Sequence, residues 1–250
     1  MLVEDKGLVS ILIPVYNVAN YIRPALDNVI AQQYQNFEVV LVNDGSTDES
    51  EVICQEYVDR DARFRLVTQH NQGFGAARNT GLQFARGEFV YFMDSDDLIK
   101  PTLLQDVIET FEEYPYNTVF FGFRKVYLQS NKSFDMVPPA IDSRDAEKSK
   151  EGLLEMLYKG FGFGVWQQVF RRSFLLESKI SFPTLKREAD VAFLLELYQN
   201  VQSFKTIPTV YYLYQAYYSS NKNNPDILVN HVILYRLLEK LVEPSVSNPL

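Results

Sequence analysis

Short apolar runs alternate with amphipathic stretches through the first hundred residues, the pattern of β-α-β units around a mainly parallel sheet. Val9 to Val15 (VSILIPV) reads as a first strand, ended by Pro14 and the polar Asn17. Asn20 is placed to cap a helix with Ile22, Leu26, Val29 and Ile30 on one face. Pro24 falls in the first turn of that helix, where a backbone N–H has no helical partner anyway. Phe37 to Val42 (FEVVLV) predicts a second strand, and Val52, Ile53 and Tyr57 mark the helix after it. Phe64 to Thr68 is a third strand, a helix follows from about Gly75 to Ala85, and Phe89 to Met93 is the fourth strand.

Beyond Asp96 the texture changes. Leu103, Leu104, Val107, Ile108 and Phe111 form a helix face, and Thr118 to Tyr127 (TVFFGFRKVY) reads as a long strand turning near Ser130-Asn131-Lys132 into a hairpin. Ser133 to Lys150, polar and carrying Pro138-Pro139, reads as a mobile loop before a helix at Glu151 to Tyr158. Asp190 to Gln199 is helical with Val191, Leu194, Leu195 and Tyr198 inward, and a last helix is expected from about Ile227 to Val242. No internal repeat or low-complexity tract appears, so the chain reads as one α/β domain of two halves.

Composition narrows the function classes. A hydrophobic content of 46% and an aromatic content of 14% allow a sizeable core in 250 residues. The net charge of -8 argues against a nucleic-acid partner, because no basic field is available to displace counterions. Cys54 is alone and suits a reducing compartment, no run approaches a membrane span, and the first residues lack a secretory signal. The expectation is a soluble, cytoplasmic protein, with peripheral association at the inner face of the membrane and homo-oligomerisation left open.

The chemistry-bearing residues sit at the ends of the expected strands: Tyr16-Asn17, Asp44-Gly45-Ser46, Asn71 with Gly73, and Asp94-Ser95-Asp96. In open α/β sheets ligands bind outside those carboxyl ends. Gly45 and Gly73 let backbone approach a ligand, and helix N-termini favour anions. Buried acids are usually paired or bind a metal, and the Asp94/Asp96 spacing suits a divalent ion shared with phosphates. Neither a P-loop nor a G-x-G-x-x-G after the first strand is present, which argues against a dinucleotide-dependent dehydrogenase.

In order along the chain, Ile13-Pro14-Val15-Tyr16-Asn17, Val42-Asn43-Asp44-Gly45-Ser46-Thr47-Asp48, Asn71-Gln72-Gly73 with Ala77-Arg78-Asn79-Thr80-Gly81, and Met93-Asp94-Ser95-Asp96-Asp97 resemble the family 2 glycosyltransferases of the GT-A fold. The likeness covers residues 9 to about 100 closely and continues more loosely through Val165-Trp166, Phe182-Pro183 and Ala189-Asp190-Val191. It implies a Rossmann-like, mainly parallel mixed sheet flanked by helices. A nucleotide-sugar half would occupy residues 1–100, an acceptor half residues 101–225, and a C-terminal helix residues 226–250. The implied activity is metal-dependent, inverting transfer of a sugar from a UDP-sugar to a saccharide, glycolipid or glycoprotein hydroxyl, in the manner of bacterial surface-polysaccharide enzymes.

Carried over residue by residue, the resemblance implies that Pro14, Tyr16 and Asn17 cradle the nucleoside and that Asp44 reads the base. Gly45, Asn71, Gly73, Arg78, Asp94 and Ser95 complete the donor site, and Asp96 holds Mn2+ or Mg2+. Asp190 takes the place of the general base with Glu188 as second choice, and Trp166 with Gln167 borders the acceptor. One departure is that Tyr212 to Ser220 carries no His or Arg, so Lys222 is the nearest substitute for a basic diphosphate contact. Blander roles stand beside these: Asp44 as a turn residue, Asp97 and Asp190 as helix caps, Trp166 and the late tyrosines as packing. Two rivals remain, a noncatalytic nucleotide-sugar-binding subunit and a nucleotidyltransferase. The second would need a glycine-rich basic loop that Val15 to Tyr21 lacks.

Overall fold

The computed structural model describes residues 5–130, 132–185 and 188–216. The strands are β1 (Asp5–Val15), β2 (Phe37–Asn43), β3 (Phe64–Thr68), β4 (Gly87–Phe92), β5 (Leu98–Ile99), β6 (Thr118–Tyr127), β7 (Lys132–Met136), β8 (Asp142–Ser143), β9 (Gln168–Arg171) and β10 (Phe204–Ala216). The helices are α1 (Ile22–Ile30), α2 (Ser50–Arg60), α3 (Phe74–Phe84), α4 (Leu103–Glu113), α5 (Ala146–Tyr158), α6 (Arg172–Ser178) and α7 (Ala189–Tyr198). The strands form one mixed sheet in the order β3-β2-β1-β4-β9-β6-β10-β5, with β7 on β6 and β8 on β10.

β1, β2, β3 and β4 run parallel, whereas β9 lies antiparallel between β4 and β6. All seven residues of β2 are buried, as expected of a parallel strand covered on both faces. β9 stitches the two halves of the chain into a single sheet. Register breaks in β10 between Ile207 and Tyr212, around Pro208, which has no N–H to give the ladder.

The expected helix faces on α1 and α4 are in place: Ile22, Leu26 and Val29, and Leu103, Leu104, Val107, Ile108 and Phe111, are all buried. A cluster of Phe92, Phe170, Phe182 and Phe193 ties α7 to the centre of the sheet. Phe182 and Phe193 stack at 3.9 Å, and Phe92 meets Phe182 edge-on at 5.3 Å.

Several expectations need correction. Asn20 does not cap α1, whose N-cap is Tyr21. Val52 is 62% exposed, and α2 buries Ser50, Ile53, Cys54 and Tyr57 instead. The stretch 133–150 is not one loop: it supplies β7, β8 and the first turn and more of α5, which Asp145 caps by accepting from Lys148 N at 3.0 Å. The expected final helix, Lys222, His231, Tyr217 and Tyr218 lie outside the described residues. No helix among the described residues is long and apolar enough to cross a membrane.

Candidate functional site

Because β1, β2, β3 and β4 are parallel, their C-terminal loops emerge on one rim. The first two loops are laced together. Asp44 N donates to Val15 O at 2.8 Å, Thr47 N donates to Asn17 Oδ1 at 2.8 Å, and Asn17 N donates to Ser46 Oγ at 3.2 Å. Val18 N and Ala19 N reach Ser50 Oγ and Asp48 Oδ2 at 2.8 and 3.1 Å. Asn17 itself sits at φ 52, a left-handed conformation that asparagine tolerates better than most residues.

The buried Asp44 carboxylate organises the third loop. It accepts from Gln69 Nε2 at 2.8 Å, Gln72 N at 2.9 Å and Gly73 N at 2.8 Å. Gly45, at φ 71, lets that loop pass over it: a Cβ there would lie 3.0 Å from Asn71 N. Asn17 and Gly45 thus shape the rim without lining the cavity. Pro14, Tyr16, Asp44, Asn71, Gly73, Arg78, Asp94, Ser95, Asp96 and Asp190 all line one cavity of about 1390 Å3, as do Trp166, Gln167 and Glu188.

The Ala77-Arg78-Asn79 run explains how distant acids meet. Asn79 forms a reciprocal pair with the Phe182 backbone, Nδ2 to O and N to Oδ1, both at 2.9 Å. Gly75 lets Phe182, Pro183 and Ala189 close in, since a Cβ would meet Pro183 O at 3.1 Å. Arg78, 5% exposed, then bridges two carboxylates: Nη1 donates to Asp190 Oδ1 and Nη2 to Asp94 Oδ1, each at 2.7 Å. Its two terminal nitrogens are therefore engaged by acids. Asp190 lies in the first turn of α7 and not at its cap, which is Glu188 at φ 58. Burial pushes the Asp190 carboxyl above its ordinary range, the Arg78 charge opposes this, and Asp94 adds to it. Such a carboxylate is suited to accept a proton.

Asp96 is partly buried, and no other side chain among the described residues hydrogen-bonds or ion-pairs with its carboxylate, which its own backbone N–H faces. Burial, then Asp94, raises it above the usual carboxylate range. Among the described residues no three His, Cys, Asp or Glu side chains converge as a metal cage. Asp94 and Asp96 supply two hard oxygen groups, which fits a divalent ion that takes its remaining ligands from phosphate and water.

Asp97, which sequence reasoning treats as a cap, is fully buried. Tyr212 Oη donates to its Oδ2 at 2.6 Å and Gln215 N to its Oδ1 at 2.7 Å, while Gln215 Nε2 donates to Asp96 O at 2.6 Å. Burial first, then Asp94, pushes the Asp97 carboxyl up to about 8. The Asp94–Asp97 turn is thereby fastened to β10.

Aromatic residues line the far side. Trp166 stacks on Tyr212 at 4.4 Å and Tyr214 at 5.3 Å, with Phe123 edge-on at 5.0 Å. Gln167 is anchored, accepting from Gly162 N at 2.9 Å. Lys125 also reaches this cavity and carries no signal beyond its alternation with Phe123 along β6. His70 lies on the loop after β3 and is not part of the cavity lining.

The model described as Glycosyl transferase family 2 matches residues 10–175. EpsH of Bacillus subtilis (strain 168), named as a glycosyltransferase, is 34% identical over 221 residues, covering 86% of this chain and 63% of EpsH. The chain therefore spans less than two thirds of that relative's length. S. aureus TarS in complex with UDP-GlcNAc matches with a TM-score of 0.73 at 22% identity, over 93% of this chain and 65% of that one. Mannosyltransferase PcManGT from Pyrobaculum calidifontis, in complex with GDP-Man and Mn2+, matches with a TM-score of 0.62 at 19% identity, over 93% of this chain and 63% of that one. These two likenesses establish the α/β fold with its mainly parallel mixed sheet.

Proposed function

The chain belongs to glycosyl transferase family 2, and from that premise we propose that it transfers a sugar from a UDP-sugar to a hydroxyl of a saccharide, glycolipid or glycoprotein acceptor, with inversion. The observation that carries the reading is the single cavity into which Asp44, Asp94, Asp96 and Asp190 all open. The nucleoside occupies the rim formed by Pro14, Tyr16, Asp44, Asn71 and Gly73, and the UDP-GlcNAc complex of TarS supports that choice of donor.

Asp190 accepts the proton of the acceptor hydroxyl as its oxygen bonds to the anomeric carbon. The bond from that carbon to the β-phosphate oxygen breaks on the opposite face, and UDP leaves with the electron pair. Arg78 keeps Asp190 oriented and partly offsets the burial that would neutralise it. Asp96, with Asp94, would hold Mn2+ or Mg2+, which when bound supplies positive charge for the leaving diphosphate. The Mn2+ complex of PcManGT and the Asp96 carboxyl, raised by burial and by Asp94, support this assignment. A cytoplasmic setting fits the single cysteine.

The test is release of UDP from a panel of UDP-sugars with Mn2+, alongside calorimetric binding of UDP. Asp190→Asn should keep UDP binding and lose about 10²- to 10⁴-fold in turnover, the scale of a general base. Asp96→Asn should lose metal-dependent UDP binding. Metal-dependent UDP binding without turnover on any acceptor or water would instead make the chain a noncatalytic subunit, and no UDP binding at all would sink both.

A further inference from the structure

The half of the cavity away from the rim carries one feature that the transfer chemistry leaves unused. Phe134, Lys125 and Tyr214 stand opposite one another on β7, β6 and β10, so a lysine occupies the middle of a cross-strand row between two aromatic rings. All three line the cavity, and Trp166 stacks beneath Tyr214. The Lys125 ammonium lies 5.5 Å from the Tyr214 ring centroid and 5.2 Å from that of Tyr127. It makes no salt bridge with any described residue.

Among the described residues, the cavity is lined by two cationic side chains, Lys125 and Arg78. Arg78 is committed to Asp94 and Asp190. Among the described residues, Lys125 is therefore the cation left to meet a ligand. Aromatic faces suit the C–H faces of a sugar ring, whereas an ammonium with three donors suits a carboxylate or phosphate. A neutral sugar would need the rings and would leave a half-buried charge without an anion.

We propose that this aromatic lobe is the acceptor subsite and that Lys125 selects acceptors carrying an anionic group, a sugar carboxylate or a sugar phosphate. The proposal rests on the transfer reading above and deepens it by naming the acceptor's charge class.

Trp166 is the chain's only tryptophan, so its fluorescence reports occupancy of this lobe. The full chain, with UDP and Mn2+ present, is titrated at matched ionic strength with methyl β-glucoside, methyl β-glucuronide and the 6-phosphate of methyl β-glucoside. The charged probes should bind about tenfold or more tightly than the neutral one, the scale of one charge-assisted hydrogen bond. The stronger of the two charged probes assigns carboxylate or phosphate. Lys125→Met should bring the ratio to about one and Lys125→Arg should preserve it, with thermal unfolding confirming that both variants fold. Equal response to all three probes, no response to any, or a charge preference that survives Lys125→Met overturns the proposal. So does Lys125→Met weakening UDP as much as it weakens the charged probe, since the lysine would then serve the donor. Wild-type UDP binding without charge preference sinks this inference alone, whereas absence of UDP binding removes the transfer reading with it.

Discussion

Replacing Asp97 with asparagine should make the fold's stability less sensitive to pH. The Asp97 carboxyl is raised to about 8 by burial and by Asp94, against about 3.9 in an unfolded chain. Between those values the unfolded state carries the charge and the folded state carries the proton, so the folded state binds more protons and stability falls as pH rises. From pH 5 to 8 the group alone should remove about 3–4 kcal/mol, at about 1.4 kcal/mol per unit. Asp97 is fully buried, so little of this is screened. Asparagine is nearly the same shape and can still accept from Gln215 N, but its amide disturbs the bond to Tyr212, a loss of about 1 kcal/mol.

Asp97→Asn should therefore be slightly less stable than wild type at pH 5 and more stable by about 2–3 kcal/mol at pH 8. Urea unfolding in EDTA at several pH values measures the difference, and EDTA keeps any ion at Asp96 from shifting its neighbour. A wild-type-to-variant difference that stays constant from pH 5 to 8 would refute the reasoning.

Arg78→Met leaves Asp94 and Asp190 facing each other without their cation, and should cost about 3 kcal/mol, the lower end for a broken buried pair because both acids are partly exposed. The same change removes the charge that opposes burial at Asp190, so the acid limb of the turnover profile should move to higher pH. Gly45→Ala puts a side chain at φ 71 against Asn71 N, and should cost about 1–2 kcal/mol and weaken UDP binding, measured by calorimetry, more than it slows turnover. The Cys54 thiol, buried and pushed up to about 12, should react with iodoacetamide only through unfolded molecules, so with dilute reagent its labelling rate in mild urea should track global stability.

The sequence was most readable where burial and local pattern agree. β3 and β6 match their expected spans because each is bounded by turn residues and begins on a buried position, and β6 faces the core over its first six residues. β7 (KSFDM) is announced only by the hairpin turn before it, and β8 is hidden: both lie at the periphery, where exposed strands need no apolar alternation, and the partner of β8 on β10 is remote in sequence. Val52 misled because it is apolar yet one position away from the buried face of Ile53 and Tyr57. Motif order grouped the expected site residues, and ten of them, Asp190 on α7 included, share a cavity. Asp97 was not legible, since what separates a cap from a buried acid is Tyr212 and Gln215, more than a hundred residues along the chain. The pairing of Arg78 with Asp190 likewise spans 112 positions, and nothing local announces it.

The lacing of the first two rim loops gives the proposed nucleotide end the character of a mould cast in advance. Asn17 is tied to Ser46 and Thr47, and Ala19 to Asp48, before any guest arrives, so little freedom is left for a nucleoside to quench on entry. Asn17 and Thr47 stand outside the cavity walls, yet loosening either would soften the mould and be felt as poorer capture by side chains it never replaces.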